Sequence, residues 1–185
     1  MSTFAQHTLD TAPAAARPLL ESAQKKLGFI PNLYANLAEA PAALEAYFGL
    51  SAQLDKTSLS PTERQVVLLA ASAENGCEFC VAAHSMIARS MVHVPSPVVD
   101  ALRAQTSLPD ARLNALAAFT RKIVIDRGWV KPTDLDAFLA AGYTRQQAIE
   151  VVLGVAMKTL SNYANHLMGT QTNSQFISEA WVRAA

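Results

Sequence analysis

Two cysteines and a histidine stand out in this 185-residue chain, because their spacing allows them to act together. Cys77 and Cys80 are the only cysteines, and His84 follows the second one by four residues. In a helix that begins near Cys77, these three residues share one face. Two thiols and an imidazole on a common face can form a redox site or part of a metal site.

The redox interpretation follows from helix geometry. Cysteines one turn apart have Cα atoms about 5–6 Å apart, a separation that a disulfide accepts. Cys77 lies near the predicted helix N-terminus, where the helix dipole favours a thiolate, and His84 lies within proton-transfer reach of Cys80. A thiolate that attacks a peroxide becomes a sulfenic acid, and the second thiol then closes a disulfide. The pattern therefore indicates a peroxide-reducing site that needs no bound cofactor but does need an external thiol reductant.

Two other interpretations fit the cysteines alone. They can be buried as small apolar residues. They can also bind zinc, with further ligands from His84, His93 or His166. Structural zinc sites take paired cysteines from a turn more often than from one helix, so we predict no metal site.

The charge balance of the chain limits its partners. Lys+Arg and Asp+Glu number 15 each, so no net charge attracts nucleic acid or an anionic membrane. Charged residues make up 16% and apolar residues 51%, which leaves little charge to cover the surface of a monomer. We therefore expect a homo-oligomer.

The sequence also predicts where the protein resides. No apolar run has the length of about 18 residues that a membrane span needs, and the N-terminus lacks the features of a signal peptide. We expect a cytoplasmic protein, a compartment in which structural disulfides are unusual and a C-x-x-C pair cycles or binds metal.

The remaining sequence predicts an all-α fold of about eight helices, in one domain spanning residues 1–185. Residues 1–15 are expected to form a loosely ordered arm. Capping boxes at Ser60 and Thr144 open a central apolar helix and a long last helix, and the motif helix runs between them from Cys77 to about residue 91. Asn32 and Thr133 are predicted to be N-caps of two shorter helices. No stretch shows the alternation of a strand.

Two segments carry a resemblance to a known family. Residues 63–69, ERQVVLL, and residues 74–85, ENGCEFCVAAHS, resemble the AhpD-like alkylhydroperoxidase branch of the carboxymuconolactone decarboxylase superfamily. The resemblance covers a family core from about residue 45 to residue 92, and the turn at residues 28–32 resembles peroxidase-related members. It implies the all-α fold of that family, with the C-x-x-C at the N-terminus of a central helix, and assembly into trimers or hexamers.

The resemblance also implies roles for the site residues. His84 would help to ionise Cys80, and Cys77 would be the partner thiol that exchanges with the reductant. The helix-dipole argument alone favours Cys77 as the more acidic thiol, so the two arguments disagree on this point.

The chain departs from the family pattern at one position. Family members carry a glutamate twelve residues before the first cysteine, but Gln65 occupies that position and cannot take a proton. Glu63 is close by but belongs to a capping box, and Glu74 is expected to face solvent. Tyr163 or His166 of the long last helix can replace the missing group if they reach the thiol pocket; otherwise they line a subunit contact.

The sequence thus predicts a thiol-dependent peroxidase of peroxiredoxin-type activity, which reduces hydrogen peroxide or small organic hydroperoxides through a Cys77–Cys80 disulfide. Its partners would be the peroxide, a thiol or dithiol reductant protein and copies of itself. One alternative is a non-catalytic redox sensor or binding protein, in which Gln65 marks lost catalysis. Another is a non-redox decarboxylase-type member of the superfamily, against which the paired cysteines argue.

Overall fold

Helices alone build the fold across residues 4–183, the part of the chain that this computed structural model describes. The α-helices of these residues are α1 (Arg17–Leu27), α2 (Asn32–Leu37), α3 (Pro41–Leu54), α4 (Pro61–Glu74), α5 (Glu78–Met86), α6 (Ser96–Arg103), α7 (Ala111–Ile125), α8 (Pro132–Ala140) and α9 (Arg145–Met168). A π-helical turn (Ile87–Met91) extends α5, and a 3-10 helix (Ser174–Glu179) follows α9. The all-α prediction is confirmed, with slightly more helices than expected.

Helix α4 forms the centre of the molecule. Its predicted capping box is confirmed: the Ser60 hydroxyl accepts from the Glu63 N–H at 3.3 Å, and the Glu63 carboxylate accepts from the Ser60 N–H at 2.8 Å. Every residue from 66 to 73 is buried, and α4 packs against α5, α6, α7 and α9. A helix that is apolar on all sides needs such surroundings.

Two hydrophobic clusters lie around α4. One includes the stacked rings of Phe119, Phe138 and Tyr143 from α7, α8 and the loop before α9. The other contains both cysteines, together with apolar residues of α2, α3, α5 and α9. The thiol motif is therefore part of the core.

The turn between α4 and α5 places the first cysteine. Gly76 has a φ of +68°, a left-handed conformation that suits glycine, and a Cβ there would lie 2.7 Å from Cδ of Arg183. Cys77 follows as the N-cap of α5 in an extended conformation, and the helix begins at Glu78. The predicted motif helix thus starts one residue late, and its last turn is the π-helical segment.

The N-terminal residues pack more tightly than the sequence suggested. Ala12 and Ala16 are buried, and the His7 N–H donates to the Ala35 carbonyl at 3.2 Å. Residues 7–15 therefore belong to the packed structure, and the expectation of a loosely ordered arm is wrong for them. Residues 1–3 of that arm lie outside the described residues.

Two predicted N-caps are wrong because a proline sets the helix start. Asn32 is the first residue of α2, after Pro31, and its side-chain amide donates to the Gln171 carbonyl at 2.9 Å. Thr133 lies inside α8, because Pro132 occupies the first position, where its fixed φ fits a helix. The Thr144 capping box of α9 is confirmed.

A membrane-spanning helix would have to be both long and strongly apolar, and none of the helices within residues 4–183 meets these two conditions.

Candidate active site

The two thiols meet a polar face of α9 inside the core. Cys77 and Cys80 are free thiols with exposures of 1% and 2%. The Asn165 amide donates to both sulfurs, at 3.3 Å to Cys80 Sγ and 3.6 Å to Cys77 Sγ. The Ser161 hydroxyl lies 3.9 Å from Cys80 Sγ. Residues four apart lie on one face of a helix, so α9 supplies these polar groups from consecutive turns.

His84 connects two further side chains. Its Nδ1 lies 3.1 Å from Oε1 of Gln65, and its Nε2 lies 3.1 Å from Nζ of Lys158. A lysine ammonium can only donate, so Nε2 accepts, and Nδ1 carries the hydrogen and donates to Gln65. Burial, and after it the charge of Lys158, hold the pKa of His84 well below its usual value. His84 is therefore a neutral imidazole held in one tautomer from both sides.

Lys158 is buried with 1% exposure, although lysine is almost never fully buried unless it is paired. The salt bridges among residues 4–183 join six pairs, and none of them includes Lys158. The Cys80 thiol, which is an acidic group, lines the same cavity as Lys158. The site therefore holds a cation without a carboxylate partner.

The two thiols differ in acidity. Burial raises the pKa of Cys80, but a hydrogen bond from Cys77, the charge and hydrogen bond of Lys158 and the Ser161 hydroxyl outweigh burial and lower the pKa to about 5. The hydrogen bond to Cys80, and then burial, raise the pKa of Cys77. Cys80 is therefore the more acidic thiol of the pair. This order agrees with the family resemblance and not with the helix-dipole argument, because the Lys158 charge and the Ser161 hydroxyl stabilise the thiolate of Cys80.

A cavity of about 610 Å³ leads to this group. Cys80, His84, Gln65 and Lys158 line it, and Cys77 does not. Most of the remaining wall is apolar or aromatic, including Phe29, Leu33, Tyr34, Tyr47, Leu68, Phe79, Met157 and Phe176. Burial raises the pKa values of Tyr34 and Tyr47, so their hydroxyls stay protonated and can donate. The arrangement presents one ionised sulfur to a large apolar space.

Comparison with known proteins shows which family and which solved structures the chain is similar to. The model of the carboxymuconolactone decarboxylase family matches residues 38–122. A solved structure of an alkylhydroperoxidase AhpD core, an uncharacterised peroxidase-related protein from Ralstonia eutropha, is 28% identical, with a TM-score of 0.81 over 95% of this chain and 94% of that one. The chain therefore has an AhpD-like fold, and its residues 38–122 are similar to the carboxymuconolactone decarboxylase family.

Two structures of lower sequence identity share this fold. A peroxidase-related protein from Silicibacter sp. is 20% identical, with a TM-score of 0.80 over 95% of this chain and 94% of that one. The debrominase Bmp8, solved as a cysteine-to-alanine variant with 2,3,4-tribromopyrrole, is also 20% identical, with a TM-score of 0.76 over 97% of each chain. No curated protein matches the sequence. The fold thus occurs in proteins described by different activities.

The structure brings some of the predicted site residues of this AhpD-like protein together and separates others. The Asn165 amide joins Cys77 and Cys80, and the cavity wall contains Cys80, His84 and Gln65. Glu63 is held by Ser60 and by the Arg112 guanidinium, so it stays in its capping box. Glu74 lies 3.5 Å from the Gln105 amide, and neither glutamate lines the cavity.

Tyr163 and His166 lie on the outer side of α9. Tyr163 is 59% exposed, its ring centroid lies 6.4 Å from that of His166, and neither residue lines the cavity. Of the two alternatives for these residues, the one in which they reach the thiol pocket does not agree with this placement, because Ser161 and Asn165 occupy the inward face of the helix.

Sequence reasoning missed the α9 residues that do contact the thiols and His84. Lys158, Ser161 and Asn165 recur at helical spacing within an otherwise apolar frame, and that spacing is the signal that would have indicated an inward polar face.

The zinc alternative gains no support, since no group of three or more His, Cys, Asp and Glu side chains within residues 4–183 is arranged to hold a metal ion.

Proposed function

We propose that this protein is a thiol-dependent peroxidase in which Cys80 attacks the peroxide and Cys77 closes the disulfide. One observation carries the proposal: Cys80 lines the cavity and Cys77 does not, while the Asn165 amide donates to both sulfurs and so holds the two thiols side by side. A nucleophile with a resolving thiol already in contact is what a two-cysteine peroxidase cycle requires.

The cycle has three steps. The Cys80 thiolate attacks the terminal oxygen of the hydroperoxide, the O–O bond breaks, and Cys80 becomes a sulfenic acid while the alcohol leaves. The Cys77 thiol then attacks the Cys80 sulfur, a disulfide forms and water departs. An external dithiol reduces the disulfide by thiol exchange and becomes a disulfide itself.

The cavity supports organic hydroperoxides as the preferred substrates. Its volume of about 610 Å³ lies in the range of pockets that enclose drug-sized ligands, and far exceeds what hydrogen peroxide fills. An apolar wall also favours the binding of an apolar substrate, because burial of apolar surface contributes about 25 cal/mol of binding free energy for each Å² removed from water.

Accessibility bears on how the reductant approaches. Cys77 is 1% exposed and absent from the cavity wall, so a reductant protein that attacks this sulfur must first displace the residues that cover it. A small dithiol that enters the cavity reaches Cys80 directly. Dithiothreitol is therefore a suitable reductant for assays.

Cysteine variants test the proposal. With dithiothreitol and cumene hydroperoxide, we expect Cys80→Ser to abolish peroxide consumption. Without any reductant, we expect Cys77→Ser to consume about one equivalent of cumene hydroperoxide and then hold a sulfenic acid on Cys80, which dimedone traps and mass spectrometry locates. Circular dichroism controls for folding. Undiminished turnover by Cys80→Ser would exclude the proposal.

The same assay distinguishes a peroxidase from a non-catalytic redox sensor. Gln65 supports the sensor alternative, because its side chain cannot take a proton. A sensor forms the Cys77–Cys80 disulfide once, and shows no repeated turnover when dithiothreitol is in excess.

A further inference from the structure

We propose that Lys158 is the acid–base residue of this site: its ammonium pairs with the Cys80 thiolate and donates a proton to the oxygen that leaves when the peroxide bond breaks. The proton-donor role rests on the proposed peroxidase function. The pairing with Cys80 does not, and can be measured without any peroxide.

Position is the first argument. Lys158 reaches the site from α9, and its Nζ lies 3.1 Å from Nε2 of His84. Lys158, His84 and Cys80 all line the same cavity, so the ammonium is next to the space where a substrate oxygen must lie. Lys158 has 1% exposure and borders the cavity, so it can exchange a proton with a substrate that occupies the cavity.

Charge is the second argument. A buried ammonium is costly unless an anion pairs with it, and none of the salt bridges within residues 4–183 includes Lys158. Within the site, the Cys80 thiol is the acidic group that can ionise and supply this anion. Pairing with Cys80 satisfies both charges at once.

No other side chain near Cys80 supplies a positive charge. The remaining titratable or polar side chains near this thiol are Tyr34 of α2, Tyr47 of α3, Gln65 of α4, Ser161 and Asn165 of α9, and Cys77 and His84 beside or within α5. Of these, the tyrosines and Cys77 are held in their neutral forms, and His84 is a neutral imidazole. The charged side chains at the rest of the cavity wall are Lys26, Asp55 and Arg64, and Arg64 is held by the Leu59 carbonyl and lies 3.7 Å from Asp55.

Lys158 also supplies the acid–base group that Gln65 cannot provide. The family pattern puts a carboxylate at that position, whereas Gln65 only accepts a hydrogen bond from Nδ1 of His84. Lys158 contacts the other ring nitrogen of the same imidazole. The acid–base group thus enters from α9 instead of α4, and His84 positions it.

The proton balance closes over a full cycle. The thiolate, the ammonium and ROOH give the Cys80 sulfenic acid, the neutral Lys158 amine and ROH, so both charges disappear together. Cys77 then forms the disulfide and releases water. When a dithiol reduces the disulfide, one of its hydrogens remains on Cys77. The other passes from Cys80 to the Lys158 amine, which restores the ion pair.

The pairing is tested by titrating Cys80 without peroxide. In a Cys77→Ser background only Cys80 remains, so the ultraviolet absorbance of the thiolate reports on this residue alone. We expect Lys158→Met to raise the midpoint by about 1–3 pH units, the size of effect of a nearby opposite charge. Lys122→Met, the same change at an exposed lysine of α7, is the matched control and should leave the midpoint in place. An unmoved midpoint in folded Lys158→Met would overturn the pairing.

The proton-donor role is tested at a pH where Cys80 is ionised in every variant. There, the single-turnover rate with cumene hydroperoxide should fall by about 10²–10⁴-fold in Lys158→Met, the range for a lost general acid. Lys158→Arg keeps the charge but gives up its proton far less readily, so it should restore the titration midpoint and not the rate. Equal single-turnover rates in the wild type, Lys158→Met and Lys158→Arg would overturn the proton-donor role of Lys158. A wild-type protein that leaves cumene hydroperoxide intact would refute the peroxidase function, while the titration still decides the pairing.

Discussion

At the scale of single residues, the chemistry rests on which thiol carries the charge. The sequence pattern predicts that Cys77, Cys80 and His84 act together, and in the structure all three lie at the start of α5 or within it. It did not predict Lys158, which contacts His84 across 74 positions of the chain. Contacts of that separation depend on how α9 packs against α4 and α5, and helix periodicity does not specify such packing.

The pH dependence of Cys80 reactivity follows from this assignment. With its pKa lowered to about 5, Cys80 is ionised above that pH and protonates below it. We expect its alkylation rate with iodoacetamide to be flat above about pH 6 and to fall tenfold per unit well below 5. An ordinary thiol would instead become faster up to about pH 8.5. Mass spectrometry of the modified peptide measures the rate, and a steady rise through pH 8 would contradict the assignment.

At the scale of helices, local signals worked where a capping box was present. The starts of α4 and α9 follow from Ser60 and Thr144, whose side chains satisfy free N–H groups. The starts of α2 and α8 did not follow from Asn32 and Thr133, since a preceding proline set the boundary. The π-helical turn after α5 has no signal in the local sequence that we recognise.

The packing of α9 on α4 depends on a glycine. A Cβ on Gly154 would lie 2.7 Å from Cγ1 of Val67, whereas a Cβ on Gly49 of α3 would meet nothing within 4 Å. Alanine favours a helix over glycine by about 1 kcal/mol, but overpacking a core costs about 1–3 kcal/mol. We expect Gly154→Ala to lower the free energy of unfolding by about 1 kcal/mol and Gly49→Ala to raise it slightly. Denaturant unfolding measures both, and stabilisation by both would contradict the close packing.

At the scale of the whole molecule, the low charge content matches an apolar surface on the outer side of α9. Ile149, Val152, Tyr163 and Leu167 are 71%, 43%, 59% and 72% exposed, and they recur at helical spacing. Trp129, which follows α7, is 88% exposed. The composition and the family resemblance led us to expect assembly into trimers or hexamers, and this surface is where we expect chains to meet.

Light scattering coupled to size-exclusion chromatography measures the assembly. We expect a mass of three or six times the 19.8 kDa of one chain. Val152→Lys should reduce the measured mass, because the contact between chains would then bury an unpaired charge. Ile177→Lys changes a residue that is 62% exposed on the 3-10 helix and serves as the control. A wild-type mass of one chain would refute the assembly, and an unchanged mass in Val152→Lys would refute this surface.

The most direct test of the account is one turnover of the reduced protein with one equivalent of cumene hydroperoxide and no reductant. We predict one equivalent of cumyl alcohol per chain, and a Cys77–Cys80 disulfide in the peptide map. The Cys77→Ser variant should give the same alcohol but a sulfenic acid on Cys80. Unconsumed peroxide, or alcohol formed equally well by Cys80→Ser, would contradict the account.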